Sequence, residues 1–414
     1  MKALIAALLL VASVAHAEPI AIVGAKVHVK PGQTVENATV VIDNGKITAV
    51  GANLAAPAGA KIIDGKGKVV TAGLIDSVST VGLVGVELEA SAVDGQFESK
   101  DAVHEDPVHA AYEARDGFAP RDVTVSVARA GGITAVGASP NGGLVGGQSA
   151  VFALDGSTEP VRAPAAMRVA LGPNGAAGGS RGKTIELLRE ILDDARAFGR
   201  DKASYERNQK RHMIADRLDL EALQPVLAGR VPLLVDAQSE SDIRAALRIA
   251  KDFKLRIAIV GGTEAWRMTK ELAAAKVPVL VDPTANLPAQ LAASDVHDDA
   301  AAVLDKGGVA VVISTLGGSS GARTLRQLAG NAVGHGLAWD KALAAVTTGP
   351  AALYGLTGRG TVEKGAIADV VVWSGDPLEV TTSVDAVIIG GVVQSLANHQ
   401  TRLLDRYRKL PIVR

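Results

Sequence analysis

The chain has 414 residues, with 43 basic against 44 acidic side chains, no cysteine and only 3% aromatic residues. That balance, with no basic block anywhere, excludes the electrostatic footprint of a nucleic-acid or anionic-membrane binder. The missing cysteine excludes disulfides, a thiolate nucleophile and a lipid-modified cysteine, so stability must come from packing.

The first stretch, MKALIAALLLVASVAHA, carries a lone lysine, an apolar run from Ala3 to Val14, and the small-x-small ending Ala15-His16-Ala17. This is the form of an export signal, so residues 1–17 are expected to be removed and the mature chain to begin near Glu18, in the periplasm or secreted. The apolar run is too short for a membrane anchor. The remainder suits one large domain with a smaller satellite.

From Ile20 to Val70 the sequence alternates and turns. Asp43-Asn44-Gly45 between two β-rich runs is a hairpin signal, because Asn and Gly tolerate the positive φ that tight turns need. The segment from Gly360 to Gln394 has the same short-strand, glycine-turn texture. The expectation is a composite β-sandwich from 18–70 and 356–400, with residues 71–355 inserted as a barrel.

That middle region alternates apolar strand candidates with helical stretches, the pattern of βα units. Strands are expected at Val69 to Asp76, Ile133 to Gly137, Met167 to Leu171, Val231 to Asp236, Leu255 to Val260, Val277 to Val281 and Val309 to Ser314. Amphipathic helices are expected at Lys183 to Arg200 and Ser241 to Phe253, the latter capped by Ser241. Gly142 to Gly156 reads equally as a barrel strand or a hairpin. The fold class is α/β, a (β/α)8 TIM-type barrel with the small sandwich.

Several stretches resemble the amidohydrolase superfamily, and within it the exported imidazolonepropionase-like group. They are VVTAGLID from Val69, GGTEAW from Gly261, TLRQLAGNAVGHGLAWDKALAAVTTGPAALYGL from Thr324, and GTVEKGAIADVVVWSGDPLEVTTSVDAVIIGG from Gly360. The resemblance implies hydrolysis of non-peptide carbon-nitrogen bonds by zinc or another divalent metal, held by imidazole and carboxylate ligands at the C-terminal ends of barrel strands. In this sequence the family's paired histidines fall on Val78 and Thr80, the third on Asp236, the fourth on Gly261, and the catalytic aspartate on Leu316. The strand lysine of some relatives has no counterpart, since Met167 to Leu171 offers only Arg168.

Asp76 and Asp236 both end expected strands and are candidates for a weak hard-cation site or a general base, or for hydrogen bonding to loop amides. The acidic segment Asp94 to Pro120 follows the first strand on the face where barrel active sites assemble, and carries Glu98, Asp101, His104, Glu105 and His109 as a possible lid or pocket loop. The favoured reading is a charged, solvated loop and short helix that caps the barrel or touches another subunit. The remaining histidines, His297 among them, sit away from expected strand ends. The glycines of Ala138 to Ala150 lack the lysine and spacing of a phosphate loop. Ser319 and Ser320 have no histidine nearby in sequence.

The sequence thus reads as an amidohydrolase-family protein that is metal-depleted, catalytically weak or silent, and expected to need no cofactor. The alternatives are a non-catalytic partner subunit of a metal-competent relative, in a homo- or hetero-oligomer, or a small-molecule binder using the barrel mouth.

Overall fold

The computed structural model describes residues 18–97, 107–172, 180–209, 211–285, 287–288 and 294–408. The leader and the loop residues Glu98, Asp101, His104 and Glu105 lie outside them. Among the described residues no helix is long and apolar enough to cross a membrane.

Both ends of the chain contribute to one sheet. Its N-terminal strands are β1 (Ile20–Lys30), β2 (Gln33–Asp43), β3 (Lys46–Ala52), β4 (Lys61–Asp64) and β5 (Val69–Ala72). Asn44 and Gly45 adopt φ of 49° and 76° and join β2 to β3 with Asp43 opposite Lys46, the tight turn expected from the sequence. The C-terminal strands β16 (Val370–Trp373), β17 (Val384–Ile389) and β18 (Val392–Val393) continue this sheet, because β16 pairs antiparallel with β5, Val70 opposite Val372. The loop before β16 also returns to β3, where Ile47 N donates to Ala366 O over 2.9 Å and Gly365 N to Ile47 O over 2.7 Å. The sheet therefore curls around a core of its own that includes Ile22, Val40, Ile47, Val70, Val372 and Ile388. The alternate residues Val371, Trp373 and Val387 point the other way, into the core shared with the barrel, as the two-residue period of a strand requires.

The expected strand Val69 to Asp76 is two strands. The chain leaves β5 at Gly73 and enters the barrel as β6 (Leu74–Ser79). At the junction a Cβ on residue 73 would lie 2.1 Å from Thr134 Oγ1. Only glycine lets the two sheets approach this closely.

The fold is mixed α/β, and its second sheet is a nearly closed eight-strand barrel. Between β6 and the barrel's next strand, the short β7 (Gln96–Phe97) pairs with β9 (Asn141–Gly142). The barrel sheet runs in the order β6, β8 (Ile133–Ala138), β10 (Val145–Ala153), β11 (Arg162–Ala170), β12 (Leu233–Ala237), β13 (Ile257–Gly261), β14 (Val279–Val281) and β15 (Val311–Ile313). The ambiguous Gly142–Gly156 stretch proves to be both things at once. It supplies barrel strand β10, and that strand is antiparallel to β8 and β11, so the barrel departs from eight parallel strands.

Side chains alternate between an outer and an inner layer. Leu233, Val235, Ile257 and Ile259 pack outward with Leu188, Ile191, Ile243 and Ile249 of the helices Arg181–Arg200 and Glu240–Phe253. Leu234, Ala258, Val260, Leu280 and Val312 face inward with Ile75, Ala135 and Val151. The helix Thr348–Tyr354 adds Ala351, Leu353 and Tyr354 to this inner layer. The helix Glu240–Phe253 begins two residues earlier than expected, and its N-cap is Ser239 rather than Ser241, since Ser239 Oγ accepts from Asp242 N. Glu240 then occupies the first turn, where negative charge is favoured.

Candidate functional site

Asp76 sits where the barrel sheet has its two free edges, β6 and β15. Backbone pairing does not join them; side chains and the loop after β15 do. Ser314 Oγ donates to Asp76 Oδ1 over 2.6 Å, Thr315 N to the same oxygen over 3.1 Å, and Thr315 Oγ1 to Oδ2 over 2.5 Å. Val78 N donates to Ser314 Oγ over 2.9 Å, Gly317 N to Val78 O over 2.9 Å, and Thr80 Oγ1 to Gly317 O over 2.6 Å. Complete burial pushes the Asp76 carboxyl up from 3.8 to about 6, against the opposing pull of its Ser314 and Thr315 hydrogen bonds. Its oxygens are committed to closing the seam.

Four of the five positions that the resemblance assigns to the family's site carry neither imidazole nor carboxylate. Val78 is 1% exposed and belongs to the apolar inner layer. Thr80 is a seam residue. Leu316 packs on the inner layer with a positive φ of 54°. At Gly261, φ is 83° and a Cβ would lie 2.1 Å from Gln238 Nε2. Gln238 thus occupies the space of the missing side chain, and its Oε1 accepts from Thr263 Oγ1 over 2.8 Å.

Asp236, at the end of β12, is the fifth. Arg168 rises from the neighbouring β11, two residues before the register pair Ala170 and Asp236 ends the ladder, and its Nη2 donates to Asp236 Oδ2 over 2.5 Å. Met167 and Val169 face the outer core, so alternation turns Arg168 inward. The Asp236 side chain keeps 23% exposure and that of Arg168 only 7%. Desolvation raises the Asp236 pKa, outweighing the guanidinium beside it. Arg168 Nε and Nη1 have no hydrogen-bond partner among the described residues.

Asp76 and Asp236 therefore do not share a site; each is held by its own partners. Tyr354 lies between their surroundings, its phenol donating to Ser77 O and its pKa raised by burial, with Arg168 and Asp76 acting on it in opposite senses.

At the mouth is a cavity of about 230 Å³ lined by Gln238, Gly261, Asp282, His297, Asp298 and Leu316, among others. Sequence reasoning missed Asp282 and His297. Asp282 directly follows the expected strand Val277 to Val281, which was the available signal. His297 gave none, because the chain after β14 brings it to the mouth, where it packs on Trp266 with ring centres 4.2 Å apart, and Asp295 and Asp299 each lie 3.7 Å away. Of the acidic loop, His109 N donates to Val145 O over 2.8 Å, and Val108 and Glu113 bridge to Val145 and Gln148, so this end of the loop runs alongside β10. His28 lies in the end sheet beside Thr34 and Trp339, its pKa lowered by burial.

Among the described residues, the side chains at the positions assigned to the family's site do not form a donor set that fits the family's metal. Among the described residues no three His, Asp or Glu side chains come together as ligands. The one family position that keeps a carboxylate already faces a protein-borne cation.

A model of the amidohydrolase family matches residues 318–394. The amidohydrolase tasK of Hapsidospora irregularis is 25% identical over 393 residues, covering 86% of this chain and 39% of that protein. The chain thus spans about two fifths of that relative's length. Among solved structures, an amidohydrolase from Thermotoga maritima MSB8 superposes with a TM-score of 0.82 at 29% identity, over 91% of this chain and 99% of that one. Molinate hydrolase, at 18% identity and a TM-score of 0.58 over 92% and 95% of the two chains, shares the fold. Together the family model, the curated relative and the Thermotoga structure support the amidohydrolase superfamily for this chain.

Proposed function

We propose that this protein keeps the amidohydrolase barrel as a scaffold for binding a small molecule at its mouth and has given up metal-hydroxide hydrolysis. The observation that carries the reading is the Arg168–Asp236 ion pair of 2.5 Å. A metal-activated water needs a cluster of neutral imidazoles and carboxylates with an open coordination position. Here the one carboxylate at a family position is neutralised by a guanidinium, and the space at Gly261 is taken by Gln238. Support for a ligand comes from the mouth cavity, which combines apolar walls with a few convergent polar groups, Gln238, Asp282 and His297. Membership of the imidazolonepropionase-like group and export under the N-terminal leader belong to the same proposal.

The test is elemental mass spectrometry on protein purified without chelators or affinity metals, together with hydrolysis assays on a panel of cyclic and linear amides. The expected result is metal well below one per chain and no turnover that a chelator removes. Near-stoichiometric zinc, iron or manganese with chelator-sensitive hydrolysis overturns the reading.

A further inference from the structure

We propose that Arg168 anchors the carboxylate of a small molecule inside the barrel. The proposal deepens the binding-scaffold reading and rests on it.

Arg168 is 6% exposed, and two of its three guanidinium nitrogens, Nε and Nη1, have no acceptor among the described residues. Leaving buried charged donors unpaired is among the more expensive arrangements a fold can hold. A guanidinium carries five N–H donors, and its preferred complement is a planar group with two anionic oxygens. Asp236 supplies one such oxygen to Nη2 and leaves the rest of the fork unused.

A second donor lies in the same interior. Ser77 Oγ is buried and also has no partner among the described residues. The carbonyl of Ser77 accepts from the Tyr354 hydroxyl, and a Cβ on Gly137 would meet Ser77 O at 2.1 Å and Tyr354 Oη at 2.8 Å, so these groups crowd one point of the inner layer. Arg168 is close enough to act electrostatically on Tyr354. The unused groups, two guanidinium nitrogens and a hydroxyl, are all able to donate. What satisfies them is an acceptor with two oxygens, and the surrounding Ala135, Ala165, Ala166 and Ala258 restrict it to a compact molecule. Asp236, partly exposed at the strand end, marks the side from which it enters.

The experiment follows thermal unfolding and titration calorimetry with sodium formate, acetate and phosphate, each at constant ionic strength balanced with chloride. Formate or acetate is expected to raise the Tm saturably by a few degrees. The shift should vanish in Arg168→Met/Asp236→Leu, which removes the pair without leaving a lone charge, and acetate should bind at least several-fold more weakly to Ser77→Ala. Circular dichroism checks the fold of each variant; should the double variant not fold, Arg168→Lys, which keeps the charge and loses the fork, takes its place with an expected loss of about tenfold in affinity. No saturable shift in the wild type, or a shift that survives both Arg168 variants, overturns the proposal. Saturation by phosphate in place of acetate overturns the carboxylate assignment. Metal content does not enter any of these readouts, so their failure and that of the metal-free reading are separable.

Discussion

Ser314 Oγ donates to Asp76 Oδ1 over 2.6 Å across the only junction of the barrel sheet, among the described strands, that lacks a backbone ladder. The same hydroxyl accepts from Val78 N, so one side chain links a carboxylate on β6 to the backbone two residues further on. Ser314→Ala is expected to leave Asp76 Oδ1 and Val78 N short of partners in a fully buried place, destabilising the fold by about 1–3 kcal/mol. Urea denaturation at pH 7 measures this. A loss below a few tenths would show that the seam closes without it.

The same carboxylate makes stability depend on pH. Its folded-state value of about 6 lies above the ordinary 3.8, so the native protein holds this proton more tightly than the unfolded chain does. The contribution favours folding below about pH 4 and is lost as pH rises through 6, a change of about 3 kcal/mol in total. In Asp76→Asn, whose amide can donate to Thr315 Oγ1 in place of accepting from it, this part of the pH dependence should disappear. The difference in unfolding free energy between wild type and variant, followed from pH 4 to 8, is the readout. A constant difference would place the Asp76 proton elsewhere.

Restoring a ligand at Gly261 should not restore a site. Gly261→His places a Cβ against Gln238 and forces an L side chain to a φ of 83°. Backbone strain, with the Gln238 side-chain end pushed aside, is expected to lower stability by about 1–3 kcal/mol. Gln238→Ala in the same chain should recover part of that loss by clearing the space, while the strain remains. Equal stability of Gly261→His and wild type would mean that the loops after β12 and β13 adjust freely.

These particulars show which parts of the molecule its sequence carried. Local chemistry was legible: Asn44 and Gly45 announced their turn, and the apolar runs Val231 to Asp236 and Leu255 to Val260 announced barrel strands. Direction was not, because the period of β10 is the same whether it runs with or against its neighbours, and only the register of Gln148 with Met167 reveals it. Gly73 looked like part of one strand because the clash that requires glycine comes from Thr134, far along the chain in barrel strand β8. The positions that the resemblance assigns to the site were visible as residue types, but what surrounds them, such as Gln238 beside Gly261, was not. Arg168 was the exception in an otherwise apolar strand, and that anomaly was the sequence's trace of the ion pair.

The pairing of Arg168 with Asp236 leads to the last prediction, in which the double variant should be more stable than either single one. Arg168→Met removes the only side-chain hydrogen-bond partner that the Asp236 carboxylate has among the described residues and leaves a largely desolvated carboxylate; breaking a pair of this kind typically destabilises by about 3–5 kcal/mol. Asp236→Leu alone should be similarly harmful, since it strands a guanidinium that already has two unpartnered nitrogens. The double variant Arg168→Met/Asp236→Leu replaces both charges with apolar groups inside a layer of Ala, Val and Leu, and should recover most of the loss or exceed wild-type stability. Unfolding free energies of the four proteins form a double-mutant cycle whose coupling term isolates the pair. A coupling near zero would mean that Arg168 and Asp236 act independently, and that the guanidinium is held in the barrel by something other than the carboxylate beside it.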